Sequence, residues 1–147
     1  MIFGFALIII GCNDPNESNV SDGIDFKSSS VEHDRVNVIT DVIFYGNYNS
    51  KEFFYYFDHN NTSGAEYLVR CGGEAFTVAK GSGDGAYNEI TYSGTPTVNG
   101  VNYHLEFPLS AIGLNGESEF TTKYWFFEIT EQDRMPDSDT ELLTNIL

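Results

Sequence analysis

From residue 36 onward, apolar and polar residues alternate with a period of two. That spacing sets one face of a β-strand against a core and the other in water. The cleanest stretch is residues 98–107, where Val101, Tyr103, Leu105 and Phe107 oppose Asn102, His104 and Glu106. Residues 65–71 repeat the pattern, with Ala65, Tyr67, Val69 and Cys71 on one side and Glu66, Leu68 and Arg70 on the other. Residues 36–45 are rich in Val, Ile and Phe, residues 74–80 set Phe76 and Val78 inward, and residues 87–93 set Ile90 and Tyr92 on one face. Phe53-Phe54-Tyr55-Tyr56-Phe57 and Tyr124-Trp125-Phe126-Phe127, the latter within residues 122–130, carry aromatics on both faces. Gly46-Asn47, Asn60-Asn61, Gly72-Gly73, Asn99-Gly100 and Asn115-Gly116 separate these runs, and such residues accept the positive φ of tight turns. Only residues 109–113, just after Pro108, predict a helical turn.

This pattern predicts an all-β fold, an antiparallel β-sandwich of jelly-roll-like form with roughly seven to ten strands, over residues 36–138. The chain supplies 12 Phe and 9 Tyr for its core, and each buried ring removes on the order of 150–250 Å² from water. Residues 12–35 read as a disordered tether, because Asn13-Asp14-Pro15-Asn16-Glu17-Ser18-Asn19 and Ser28-Ser29-Ser30 lack both period and apolar content. Residues 139–147 read as an acidic tail.

The start of the chain has a different character. Ile2 to Ile10 are apolar or small and run into Gly11-Cys12. Such a run is too short to span a bilayer core roughly 30 Å thick, but it suits the apolar part of a secretory signal. Ile9-Ile10-Gly11-Cys12 resembles the lipobox of prokaryotic lipoproteins. The resemblance implies removal of residues 1–11 and a lipid on Cys12, which would hold the protein on a membrane surface outside the cytoplasm. The departure from that pattern is that no Lys or Arg precedes the apolar run. The alternative is an N-terminal strand with an incidental cysteine.

Charge and chemistry narrow the function classes. With 22 acids against 7 bases the formal net charge is −15, which repels phosphate backbones and excludes nucleic acid as a natural partner. If Cys12 is lipidated, Cys71 has no partner for an intramolecular disulfide and reads as a buried small hydrophobe. Four N-x-[ST] sequons, at Asn16, Asn19, Asn60 and Asn61, matter only in a host that glycosylates exported proteins. His33, His59 and His104 fall in no nucleophile, zinc or phosphate-loop motif, so the chain reads as non-catalytic.

The succession of features adds a resemblance. An aromatic strand ends in Phe57-Asp58 and is followed by the polar turn Asn60-Asn61-Thr62-Ser63-Gly64 and by Ala65-Glu66-Tyr67-Leu68-Val69. A strand through Phe107 then enters the corner Pro108-Leu109-Ser110-Ala111-Ile112-Gly113, and Asp133-Arg134-Met135-Pro136-Asp137 follows a last aromatic strand. This order resembles the DOMON-like sandwiches that include carbohydrate-binding module family 9. The resemblance implies a sugar ligand and stacking aromatics. Family 9 modules clamp sugar between two tryptophans, whereas this chain has only Trp125, which core packing also explains. Tyr48, Tyr56 and Tyr92 are the other candidates for a stacking platform. Haem ligation of the DOMON kind is not expected, since Met135 lies in a loop and His104 on a polar face.

The ion expectation is Ca²⁺, from the oxygen ligands Asp58, Asn60 and Glu66 around one hairpin and Asp133, Asp137 and Asp139 near the end. Plain turn chemistry explains the same residues. Two functions therefore stand side by side. One is a surface-tethered module that binds carbohydrate or cell-wall polymer. The other is an assembly lipoprotein that contacts envelope proteins.

Overall fold

Alternating residues become strands in the computed structural model, which describes residues 10–11, 25–58, 65–82, 85–116, 120–123 and 143–145. The strands are β1 (Ile10–Gly11), β2 (Phe26–His33), β3 (Asn37–Phe44), β4 (Phe53–Asp58), β5 (Tyr67–Gly72), β6 (Ala75–Gly81), β7 (Tyr87–Gly94), β8 (Thr97–Asn99), β9 (Asn102–Pro108), β10 (Phe120–Lys123) and β11 (Leu143–Asn145). They form two sheets, five-stranded in the order β1-β2-β3-β9-β8 and six-stranded in the order β11-β10-β4-β5-β6-β7. Every neighbouring pair is antiparallel. The chain changes sheet between β3 and β4, between β7 and β8, and between β9 and β10. The fold is an all-β sandwich, as the alternation predicts.

The two inner faces meet through alternate residues. Val38, Val42 and Phe44 of β3 and Tyr103, Leu105 and Phe107 of β9 face Phe53, Tyr55 and Phe57 of β4, Val69 and Cys71 of β5, and Phe76 and Val78 of β6. Phe53 is the hub. Its ring centroid lies 4.9 Å from Tyr103, 5.7 Å from Phe44 and Tyr55, and 5.8 Å from Phe26 and Tyr48, all edge-on. The loop after β3 folds Tyr48 over this end of the sandwich, stacked 5.2 Å from Phe44. The Tyr48 hydroxyl donates to the Lys51 carbonyl at 2.6 Å and accepts from the Gly73 N–H at 3.2 Å. Burial pushes its pKa up to about 12.

Beside the hub, the Cys71 thiol faces the hydroxyls of Tyr55 and Tyr103, and all three residues are fully buried. Burial raises the thiol pKa well above its ordinary value, although the two hydroxyls pull it partly back. At the opposite end the 3-10 turn Leu109–Ile112, in the place the sequence predicts, buries Leu109, Ala111 and Ile112. Gly113 ends it at φ 72°, and a Cβ there would lie 2.6 Å from the Tyr67 hydroxyl.

Two expectations need correction. The tether expected over residues 12–35 does not hold for Phe26–His33, which forms β2 and pairs with β3 along its length. A register shift between Phe26 and Ser28 breaks the period, and the serine run hides a face on which Phe26, Ser29, Val31 and His33 are all buried. Ile90 and Tyr92 also do not share a face. Val78 pairs with Tyr92 and Ala79 with Ile90, so Thr91 is an extra residue that reverses the alternation. Its hydroxyl donates to the Ala111 carbonyl at 2.6 Å, which ties this bulge to the 3-10 turn.

The β2–β3 turn is set by Asp34, whose Oδ1 accepts from the N–H groups of Val36 (2.9 Å) and Asn37 (2.7 Å) while Arg35 takes φ 75°. Those backbone donors hold the Asp34 carboxyl below its usual pKa, and desolvation lowers that of buried His33. The unfolded chain therefore binds protons first at both positions. Stability is expected to be full above pH 6.5, to fall as the pH drops through and below that value as His33 is protonated, and to fall again below pH 3.8 as Asp34 is protonated. Urea titrations across pH would read this, and His33→Asn should flatten the first step alone. Phe53→Ala is expected to cost about 3–5 kcal/mol in the same assay; a cost below about 1 kcal/mol would remove Phe53 as the hub.

Candidate ligand-binding face

β4 carries two surfaces. Phe53, Tyr55 and Phe57 enter the core, which leaves Phe54 and Tyr56 half-buried on the outer face of the six-stranded sheet. Register extends each outward residue into a row across the strands. Phe54 lies opposite Arg70, Arg70 opposite Thr77, and Thr77 opposite Ser93. The next row runs from Lys123 of β10 through Tyr56, Leu68 and Ala79 to Ile90. Leu68 and Ala79 are buried, yet they lie outside the core cluster between the sheets. They form a separate apolar floor on the outside of the sandwich.

A second aromatic ring completes the surface. Tyr87 starts β7, which β5 and β6 separate from β4, but its ring lies 5.8 Å from that of Tyr56 at an interplanar angle of 65°. Its hydroxyl donates to the Ala65 carbonyl at 2.9 Å. Gly81 leaves the room this requires, since a Cβ there would meet Tyr87 Cε1 at 3.0 Å and the Ala65 oxygen at 3.3 Å. Burial raises the pKa of Tyr56, so its hydroxyl stays protonated. At the other end of the patch the Arg70 guanidinium lies over the Phe54 ring, 5.6 Å from its centroid. Ile90 closes the far side at the sheet edge and is 63% exposed.

The outer face of the five-stranded sheet differs in kind. His104 Nδ1 and Asp41 Oδ1 are 2.7 Å apart, and Asn37 Nδ2 donates to Glu106 Oε1 at 2.6 Å. These are cross-strand polar pairs on an exposed surface, and they help to fix the register of β3 against β9.

The sequence-predicted site residues separate. Tyr56 belongs to the outer aromatic face, whereas Tyr92 does not. The bulge at Thr91 turns Tyr92 inward, with its ring 6.0 Å from Phe76 and 6.5 Å from Phe107. Tyr48 caps the core. Trp125, Cys12, Asn60, Asp133, Asp137 and Asp139 lie outside the described residues. Asp58 ends β4, and Glu66 enters β5 with its N–H donated to the Phe57 carbonyl at 2.9 Å. Among the described residues no group of three or more His, Cys, Asp or Glu is placed to hold a metal ion.

Sequence reasoning missed Tyr87, Phe54 and Arg70 as site residues. The signal for the last two was present: both fall at outward positions of alternating strands. Tyr87 gave none, because its approach to Tyr56 depends on a reach across two strands.

Comparison of the chain with protein-family models, with curated proteins and with solved structures finds no match. Gly81→Ala is expected to lift Tyr87 from Tyr56 and cost about 1–3 kcal/mol through overpacking. Loss of the ring-to-ring nuclear Overhauser contacts between the two tyrosines, with the rest of the fold intact, is the readout.

Proposed function

We propose that this chain is a non-catalytic binding module of the cell envelope, tethered by a lipid on Cys12 and directed at carbohydrate or cell-wall polymer. The observation that supports the ligand class is the outward pairing of Tyr56 with Tyr87 beside the Leu68–Ala79 floor. Aromatic faces stack on the C–H faces of sugar rings, and tyrosine adds a hydroxyl at the polar margin. An open sheet face suits a long polymer better than a small molecule, which takes a concave pocket. The DOMON-like reading agrees with this use of a sandwich face. Cleavage before Cys12 would also remove β1, which pairs with Ser28–Ser29, and so leave β2 as a sheet edge on the tethered side.

The second reading, an assembly lipoprotein, draws on Ile90, a large apolar side chain exposed on the edge strand β7. A glycan array with the full chain in detergent separates the two. Binding is expected, and Tyr56→Ala should weaken it about tenfold, a change of roughly 1.4 kcal/mol. An empty array at millimolar glycan, with co-purifying envelope protein lost on Ile90→Asp, would favour assembly instead.

A further inference from the structure

We infer that the ligand of this face is an acidic glycan, a polymer containing uronic acids, with the Arg70 guanidinium as the fork that takes its carboxylates. The inference rests on the face being a sugar platform, and it names the class of sugar. Acids outnumber bases 22 to 7 in this chain, so an exposed cation would be expected to find a carboxylate close by. Arg70 is exposed, and among the described residues no carboxylate pairs with it. It lies over Phe54 instead. A cation–π contact at an exposed site holds the planar guanidinium in place while leaving N–H groups for a ligand.

Position matters as much as charge. Arg70 is directly opposite Phe54 and diagonal to Tyr56 across the β4–β5 pair. Diagonal neighbours lie roughly 7–8 Å apart, within reach of long side chains. A sugar ring on Tyr56 would therefore bring a substituent carboxylate to the guanidinium, in the planar bidentate geometry that arginine favours. Thr77 and Ser93 continue the Arg70 row and offer hydroxyls to ring oxygens. On the other flank, register sets Lys123 opposite Tyr56. The net charge of −15 does not forbid an anionic ligand. Glu52, opposite Gly72, is the other diagonal neighbour of Arg70, but it forms no ion pair with the guanidinium, and acids beyond the Debye length of about 8 Å at physiological salt are largely screened.

The test uses two oligosaccharides of one backbone: an oligogalacturonate, and the neutral oligogalactose obtained by reducing its carboxylates. Calorimetry with the full chain in detergent should give tighter binding of the uronate by about ten- to a hundredfold, the range of a hydrogen-bonded charge. Raising the salt should erode that difference. Arg70→Gln should abolish the preference, bringing the affinity for the uronate down to that for the neutral oligomer, and thermal melting would establish that this surface variant folds. Equal affinity for the two oligomers, or a preference that survives Arg70→Gln, would overturn the acidic-glycan inference and leave the platform reading standing. Failure of both oligomers to bind at millimolar concentration would overturn both.

Discussion

Edge-on packing of aromatic rings between the sheets, centred on Phe53, is the interaction that the rest of the molecule depends on. Each such pair contributes about 0.5–1.5 kcal/mol beyond the area it buries, and Phe53 makes five of them with residues of β2, β3, β4, β9 and the loop that carries Tyr48. Phe26, Phe44 and Tyr103 among these partners belong to the opposite sheet. One ring therefore fixes how the five-stranded sheet sits on the six-stranded one, and the crossing of β3 into β4 is anchored where it occurs. Tyr48 then closes the end with two hydrogen bonds that satisfy its hydroxyl.

The same strand that supplies this hub supplies the outer platform. Because side chains alternate along β4, the inward set Phe53, Tyr55 and Phe57 rigidly determines where Phe54 and Tyr56 emerge. Only Tyr87 is recruited from elsewhere, and it is held by a hydrogen bond to Ala65 and by the absence of a side chain at Gly81. The positions of these outer rings are thus set by the same strands that build the core beneath them.

How much of this was legible in the sequence depended on whether the period of two was unbroken. In β9 and β5 it is, and every inward and outward residue could be assigned from the chain alone. In β2 a register shift and three serines concealed a buried strand, because serine gives no apolar signal even where its backbone is fully paired. In β7 one added residue, Thr91, sent Tyr92 to the core and Ile90 to the surface. Of the candidate site, Tyr56 was readable from alternation, whereas its partner Tyr87 was not, since proximity across β5 and β6 is a property of the folded sheet. The charge balance marked Arg70 as unusual only once the register showed Phe54, rather than an acid, opposite it.

The burial of Cys71 has a consequence in time. A thiol enclosed between Tyr55 and Tyr103, with its ionisation suppressed, is chemically silent in the native state, since the thiolate is the reactive species. Before the sheets close, the same sulfur is an ordinary accessible thiol. Oxidants would therefore threaten this thiol only before and during folding. Once Phe53 and its neighbours have seated, the sandwich itself guards against cross-linking without any disulfide of its own.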